Sequence, residues 1–174
     1  VFEGMDRQIN FPGQQCLLDG GMIVGGTQDL YNVNYYKNNP PWGTFSGQQG
    51  WWNFIYGDGG YAAIDYVDPK YIYTESQWLG FDKSRDSGRT YQTARNGLLD
   101  APAKNSLFIA PFVMDPNNHL VLVAGGASIW RTTDSAANWG PLRQPIAGTP
   151  SPKCSAIDIY KANSNVIWVG YNNG

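Results

Sequence analysis

The 174-residue sequence predicts an all-β fold assembled from repeated four-stranded antiparallel units. It contains 21 glycines and 11 prolines, and 14% of its residues are aromatic, a composition that favours short strands joined by many turns. Its 42% hydrophobic and 15% charged content is that of a folded globular protein. A segment centred on Asp86 recurs around Asp134, and this period of about 48 residues is typical of repeats that each form one sheet.

The two aspartate segments, residues 84–91 and 132–139, share a hydroxyl residue, an aspartate and an aromatic residue at the same spacing. In the first copy the three shared residues are Ser84, Asp86 and Tyr91, and Gly88 and Thr90 lie between the aspartate and the tyrosine. The second copy supplies Thr132, Asp134 and Trp139, and it departs from the first at Ala136 and Asn138. An aspartate oxygen can bond the free N–H groups of a hairpin turn, and glycine accepts a positive φ there. We therefore assign both aspartates a structural role between the third and fourth strands, and expect the aromatic ring to insert between units.

A predicted hairpin precedes each aspartate segment, so that each unit has four short strands. Its turn is expected at Asp68-Pro69 in one unit and at Asp115-Pro116 in the next. Degenerate copies extend the array on both sides, since residues 22–26 (MIVGG) match residues 122–126 (LVAGG) and residues 166–170 lie where the second strand of a fourth unit would fall. The units are placed at residues 9–49, 57–97, 106–145 and 152–174, and the last is a half unit.

Residues 84–91 match at every position the Asp-box, or bacterial neuraminidase repeat, whose pattern is Ser/Thr-x-Asp-x-Gly-x-Thr followed by Trp, Phe or Tyr. The chain resembles secreted bacterial propellers of the sortilin and xyloglucanase groups through residues 57–61 (GDGGY) and 73–77 (YTESQ). This resemblance implies a β-propeller, of which the chain supplies about three and a half blades, and an extracellular or cell-surface location. Because propellers close with about 4–8 blades, we expect a segment of a longer protein, or else a second copy that closes the ring.

Several classes of partner are disfavoured by the composition. The formal net charge of -2 and the scattered lysines and arginines offer no basic surface for nucleic acid. No apolar run approaches the ~18 residues of a membrane span. The single histidine, His119, is predicted in a turn, which leaves little for a hydrolytic triad or a histidine-rich metal site.

No cofactor is predicted. Calcium is an alternative because Asp58, Asp65 and Asp68 are close in sequence, but turn capping explains these carboxylates better. Cys16 and Cys154 are predicted to be buried free thiols rather than a disulfide, since the repeat puts them in units that are not neighbours.

The candidate site residues are those in the loops on the face opposite the Asp boxes. In the propeller enzymes that the chain resembles, this face carries the active site. Glycosidic cleavage needs two carboxylates, one to protonate the leaving oxygen and one to activate water or attack. The catalytic candidates are Asp29, Asp58 and Glu75. The ligand-binding candidates are Trp51, Trp52, Asp58 and Gln77, with both tryptophans expected in the long connection 48–60.

Two functions are consistent with these patterns. The leading hypothesis is a noncatalytic extracellular propeller that serves as a scaffold or as a binding module for carbohydrate or protein. The alternative is a glycoside hydrolase, an endo-glucanase of the xyloglucanase kind, that works through the loop carboxylates. The aspartates of the two repeats are not catalytic candidates, since identical turns one unit apart are better explained by the repeat itself.

Overall fold

The computed structural model describes residues 2–7, 21–27, 31–36, 51–53, 57–147 and 151–172. These residues form fourteen β-strands and no helix. The chain divides into two compact units, residues 1–76 with 82–92 and residues 77–81 with 93–174. No helix long and apolar enough to cross a membrane occurs in the described part of the chain.

The described residues form three four-stranded sheets and one two-stranded sheet that follow one another along the chain, each with its strands adjacent in sequence order. The first comprises β1 (Phe2–Arg7), β2 (Met22–Thr27), β3 (Tyr31–Tyr36) and β4 (Trp51–Asn53). The second comprises β5 (Gly59–Ile64), β6 (Ile72–Ser76), β7 (Gly80–Ser84) and β8 (Gln92–Thr93). The third comprises β9 (Phe112–Met114), β10 (Leu122–Gly125), β11 (Ile129–Thr132) and β12 (Gly140–Arg143). The fourth comprises β13 (Cys154–Ile159) and β14 (Ile167–Tyr171).

The prediction of an all-β chain with four-stranded antiparallel units is confirmed. The first sheet extends from Phe2 to Asn53, beyond both ends of the expected unit at residues 9–49. This copy lacks an aspartate segment, and without one the sequence has no marker that fixes where its first and last strands lie.

The turns between the first two strands of a sheet repeat closely. The backbone N–H of Asp65 donates to the carbonyl of Tyr71 at 3.0 Å, and that of Asp115 donates to Val121 at 2.9 Å. Asp65 therefore corresponds to Asp115, and Asp68-Pro69 lies three residues beyond the position of Asp115-Pro116, which corrects the alignment drawn from the sequence. The shared determinant is the aspartate at the start of the turn, because its carboxylate accepts a backbone N–H two residues later in both cases, at 2.8 Å.

Each compact unit has its own apolar core. In the first unit the buried residues are Met22, Val24, Tyr36, Ala62, Ile64 and Ile72, with Tyr91 packed against them. In the second unit Val123, Ile129, Cys154 and Ile159 form a buried cluster. Phe81 adds an aromatic contact in the second unit, with its ring centroid 4.8 Å from that of Phe112 and 5.0 Å from that of Trp139. Burial does not alternate along these strands: β10 is buried at all four positions, whereas β12 is exposed at all four.

Candidate functional site

The turn from β7 to β8 is organised by the carboxylate of Asp86. Its Oδ1 accepts the hydroxyl of Ser84 at 2.9 Å and the backbone N–H of Thr90 at 2.8 Å. Its Oδ2 accepts the hydroxyl of Thr90 at 2.7 Å. Burial raises the pKa of Asp86, and the hydrogen bonds from Thr90 and Ser84 outweigh that effect, so that the pKa is lowered overall.

The turn from β11 to β12 has the same arrangement around Asp134. Thr132 donates its hydroxyl to Oδ1 at 2.8 Å, and Asn138 donates its backbone N–H to Oδ1 and its side-chain amide to Oδ2, both at 2.9 Å. Asn138 thus supplies through Nδ2 the contact that a threonine hydroxyl supplies in the other turn. Both carboxylates are engaged within their own turns, which is a structural arrangement.

The aromatic residue that closes each segment contacts the preceding sheet, as expected for a ring that inserts between repeat units: Trp139 contacts Phe81 of β7, and Tyr91 contacts Asn34 of β3. Trp139 is buried, and its Nε1 donates to the carbonyl of Ala94 at 2.8 Å. The hydroxyl of Tyr91 accepts the side-chain amide of Asn34 at 3.0 Å, and burial strongly raises the pKa of this tyrosine.

The catalytic candidates have different surroundings. Asp29 lies outside the described residues. Asp58 is half-buried and immediately precedes β5, whereas Glu75 lies in β6 with no exposed surface. A fully buried carboxylate cannot contact a polysaccharide in this conformation.

The ligand-binding candidates are also distributed differently from the expectation. Trp51 and Trp52 belong to β4, where they pair with Tyr35 and Asn34 of β3, and not to a connecting loop. A run of two aromatic residues has high strand propensity, which the loop assignment overlooked. Gln77 is half-buried and begins the turn between β6 and β7.

The most distinctive surface in the described residues lies beside Gln77 and was missed by the sequence reasoning. The backbone N–H of Gly80 donates to the carbonyl of Gln77 at 3.2 Å, and between them Trp78 and Leu79 have φ values of 55° and 59°. Two consecutive left-handed residues make this a primed hairpin turn, a position for which Asn-Gly is the favoured pair. Leu79 is fully buried and anchors the turn, while Trp78 is half-buried.

Two residues from the connection between β8 and β9 complete this surface. Phe108 packs edge-on against Trp78, with ring centroids 5.0 Å apart and planes at 87°, and its carbonyl accepts the backbone N–H of Trp78 at 2.8 Å. The ammonium of Lys104 lies 4.3 Å from the centroid of the Trp78 ring. Phe108 remains 45% exposed. We call Trp78, Lys104 and Phe108 the Trp78 cluster.

In the described residues, non-glycine residues with left-handed backbone conformations occur in two places, the aspartate turns and the surroundings of this cluster. Among the described residues six non-glycine residues have positive φ, and three of them, Ser87, Ser135 and Ala136, lie in the two aspartate turns. The other three are Trp78, Leu79 and Lys104. Each left-handed residue of this kind costs about 1–2 kcal/mol, and such positions concentrate at functional sites.

One signal in the sequence could have revealed the cluster. The segment from Asp65 to Asp86 is two residues longer than the corresponding segment from Asp115 to Asp134. Since the turns at both ends of these segments correspond, the two extra residues fall in the β6–β7 connection, where Trp78 and Leu79 lie.

A buried carboxylate holds the connection that carries Lys104 and Phe108. Asp100 accepts the backbone N–H of Ser128 at 2.8 Å and the indole N–H of Trp130 at 2.9 Å on Oδ2, and the amide of Asn105 at 3.2 Å on Oδ1. Asn105 in turn accepts a hydrogen bond from the ammonium of Lys153, and its backbone carbonyl accepts the N–H of Ala127 at 2.7 Å. These bonds fix the connection against the β10–β11 turn, so the cluster is held in place before any ligand arrives.

The aspartates considered for calcium bind turn amides. Asp65 accepts the N–H groups of Val67 and Asp68 at 2.8 and 3.0 Å, and Asp68 accepts that of Lys70 at 3.2 Å. Within the described ranges no group of three histidine, cysteine, aspartate or glutamate residues is arranged to hold a metal ion. Cys154 is a buried free thiol, and burial raises its pKa to about 11. Cys16 lies outside the described residues.

Comparison with known proteins identifies the fold. No protein-family model matches the sequence, and no curated protein matches it. Among solved structures the chain is similar to the crystal structure of an ancestral GH74 enzyme, a β-propeller glycoside hydrolase, with a TM-score of 0.64 and 11% sequence identity. The match covers 99% of this chain and 22% of that enzyme. Over that span the chain therefore has a propeller-like all-β fold.

Proposed function

We propose that the chain is a carbohydrate-binding propeller module whose ligand site is the Trp78 cluster together with Gln77. The exposed ring of Phe108 and the half-buried ring of Trp78 supply the apolar surface on which a sugar ring can stack. The ammonium of Lys104 and the amide of Gln77 supply polar groups for sugar hydroxyls at the rim of that surface. This combination of aromatic anchors and a few polar groups is typical of binding sites.

The observation that carries the proposal is the coincidence of strain and exposure. Trp78, Leu79 and Lys104 all adopt left-handed backbone conformations, yet Leu79 alone is fully buried by the fold. Packing accounts for a strained Leu79, whereas it gives no reason to hold the exposed Lys104 above the half-buried indole ring of Trp78. A binding surface that must be rigid before the ligand arrives does give such a reason.

The proposal includes the Asp-box propeller family and an extracellular or cell-surface location. Both rest on the resemblance of residues 84–91 and 57–61 to secreted bacterial propellers. A protein ligand is the other partner that an exposed aromatic surface of this kind would suit.

The test is affinity electrophoresis in gels containing soluble β-glucans, xyloglucan or other plant and bacterial polysaccharides. We expect retardation in at least one polysaccharide, and we expect Trp78→Asn and Phe108→Ala each to weaken it at least tenfold. Asparagine is chosen at position 78 because it tolerates positive φ. Tyr160→Ala is the matched control, since Tyr160 is 53% exposed and lies at the start of the β13–β14 turn.

Unchanged retardation of both cluster variants would contradict the proposed site. If Trp51→Ala or Trp52→Ala abolished binding instead, the ligand site would lie at β4. If no polysaccharide retards the chain and a protein ligand binds it through Phe108, the ligand is a protein and not a carbohydrate.

A glycoside hydrolase is the second candidate, and the fold likeness to a GH74 enzyme favours it. Asp58 is the carboxylate to test, because it is half-buried in a connection and not enclosed in a strand as Glu75 is. New reducing ends released from a polysaccharide, and lost in Asp58→Asn, would establish this function. The binding-module proposal expects retardation without new reducing ends.

A further inference from the structure

The edge of β14 borders an open cavity in the second compact unit. β14 pairs with β13 in a two-stranded sheet, so its other edge bears no described strand. Beside this edge lies a cavity of about 380 Å³. It is lined by Ile129, Leu142, Arg143, Ile167, Trp168 and Val169. Leu142 is 45% exposed and Trp168 is 69% exposed, so the cavity is open and presents large apolar side chains beside the polar Arg143.

The repeat shows which element occupies this edge in the third sheet. Val169 pairs with Ile157 as Ala124 pairs with Phe112, so β13–β14 has the register of β9–β10. The second edge of β10 is covered by β11, with Ala124 opposite Trp130. The edge of β14 that bears no described strand therefore corresponds to an edge of β10 that accepts an antiparallel strand.

The repeat also shows which side chain occupies the cavity. Trp139 contacts Phe81 at a centroid distance of 5.0 Å and donates to the carbonyl of Ala94 at 2.8 Å. A shift by 48 residues, the spacing of the two aspartate turns, relates Phe81 to Ile129 and Ala94 to Leu142. Both of these residues line the cavity. The cavity therefore lies at the position that, one repeat earlier in the chain, is filled by the aromatic residue of an aspartate turn.

We propose that the β14 edge and its cavity bind an extended segment of the same repeat. This segment is a strand that pairs antiparallel with β14, followed by a Ser/Thr-x-Asp turn and an aromatic residue that fills the cavity. Strand addition to a free sheet edge gives affinity through backbone hydrogen bonds, and the side-chain pocket gives specificity. Arg143, whose guanidinium lies 5.9 Å from the Tyr171 ring centroid, borders the site on its polar side.

The experiment uses a fluorescent peptide of residues 127–140, which carries β11, its aspartate turn and Trp139, titrated with the 174-residue chain. Fluorescence anisotropy should show saturable binding. Replacing Trp139 by alanine in the peptide should weaken binding about ten- to a hundredfold, because the burial of one aromatic side chain is lost. Hydrogen exchange should show peptide-dependent protection at residues 167–170.

Two variants of the protein locate the site. Leu142→Glu should weaken peptide binding at least tenfold, because it puts a charge at the cavity. Leu120→Glu is the matched control, since Leu120 is 40% exposed and lies in the β9–β10 turn, and it should leave binding unchanged. Circular dichroism of both variants should match the parent.

Three outcomes would overturn the proposal. One is binding that is indifferent to the peptide's Trp139 or to Leu142→Glu. Another is peptide-dependent protection from hydrogen exchange that is found only at residues other than 167–170. The third is a dimer of the chain, seen by sedimentation, that covers this face and that excess peptide does not dissociate, because a second copy would then be the occupant.

Discussion

Gly88 and Ala136 occupy the same left-handed position in corresponding turns, with φ values of 82° and 59°. Alanine is strained there, whereas glycine is not. We expect Ala136→Gly to raise the free energy of unfolding by up to about 1 kcal/mol, since relief of strain exceeds the entropy that glycine adds to the unfolded chain. Urea denaturation measures the change.

The reverse substitution, Gly88→Ala, is the control. A Cβ at Gly88 would meet the side-chain amide of Asn34 and lie 2.6 Å from the Tyr36 hydroxyl. We expect a loss above about 1 kcal/mol, from strain and crowding together. Equal and opposite effects at the two positions would show that the turns differ only in the residue type and not in their surroundings.

Asp134 makes the stability of its turn depend on pH. The side-chain hydrogen bond from Asn138 and the backbone and hydroxyl donors outweigh burial and lower its pKa from 3.8 to about 2. A carboxylate with a depressed folded-state pKa stabilises the fold above its unfolded pKa, and loses that effect as the pH falls through the folded value. We expect Asp134→Ala to lower the urea midpoint at pH 7, and its difference from the parent to narrow between about pH 4 and about pH 2.

The control for this series is Asp158→Ala, which removes an exposed aspartate of β13. Its difference from the parent should not follow the same course. A deficit of Asp134→Ala that stays constant from neutral to acid pH would mean that the carboxylate's charge contributes nothing to the turn.

At the scale of elements, the β10–β11 connection is packed so closely that a single methyl group disturbs it. A Cβ at Gly126 would collide with the carboxylate of Asp100, whereas a Cβ at Gly140 at the start of β12 would meet nothing within 4 Å. Asp100 cannot move away without releasing Ser128 and Trp130. We therefore expect Gly126→Ala to cost about 1–3 kcal/mol and Gly140→Ala to be close to neutral, as measured by thermal unfolding.

Substitutions of the half-buried Trp78 and the buried Trp139 should differ in their cost to stability. Trp139 is buried against Phe81, and Trp139→Ala is expected to cost about 3–5 kcal/mol of unfolding free energy. Trp78→Asn removes a half-buried ring but relieves a strained φ, so its cost should stay below about 1.5 kcal/mol. A cost for Trp78→Asn as large as that for Trp139→Ala would make the Trp78 cluster a part of the core and not a binding surface.

At the scale of the whole molecule, charge governs solubility. The chain has a formal net charge of -2 at pH 7 and a sequence pI of about 5.2. Since colloidal repulsion vanishes near the isoelectric point, we expect a solubility minimum near pH 5 and recovery at pH 7. Turbidity across a pH series measures this. A minimum displaced to neutral pH would indicate association through exposed apolar edges and not through loss of charge.

Much of the molecule follows from short-range chemistry, and this part could be predicted from the sequence. The hydrogen bonds of Asp86 and Asp134 all reach residues within four positions along the chain, so residue types and spacing suffice to locate both turns. The turn that begins at Asp115 was located in the same way, whereas the β5–β6 turn, which begins at Asp65, was placed three residues too late at Asp68-Pro69. Four-stranded antiparallel units follow because both kinds of turn recur after about 48–50 residues.

The tertiary structure alone decided which side chains meet at the candidate site. Lys104 and Phe108 reach Trp78 from the β8–β9 connection, which is held by Asp100, Asn105 and residues beyond β12. Burial likewise removed Glu75 from the accessible surface, and strand pairing removed Trp51 and Trp52 from the connecting loop. The physical reason is that turns are fixed by hydrogen bonds between near neighbours, whereas burial and side-chain contacts depend on packing between segments that lie far apart in the chain.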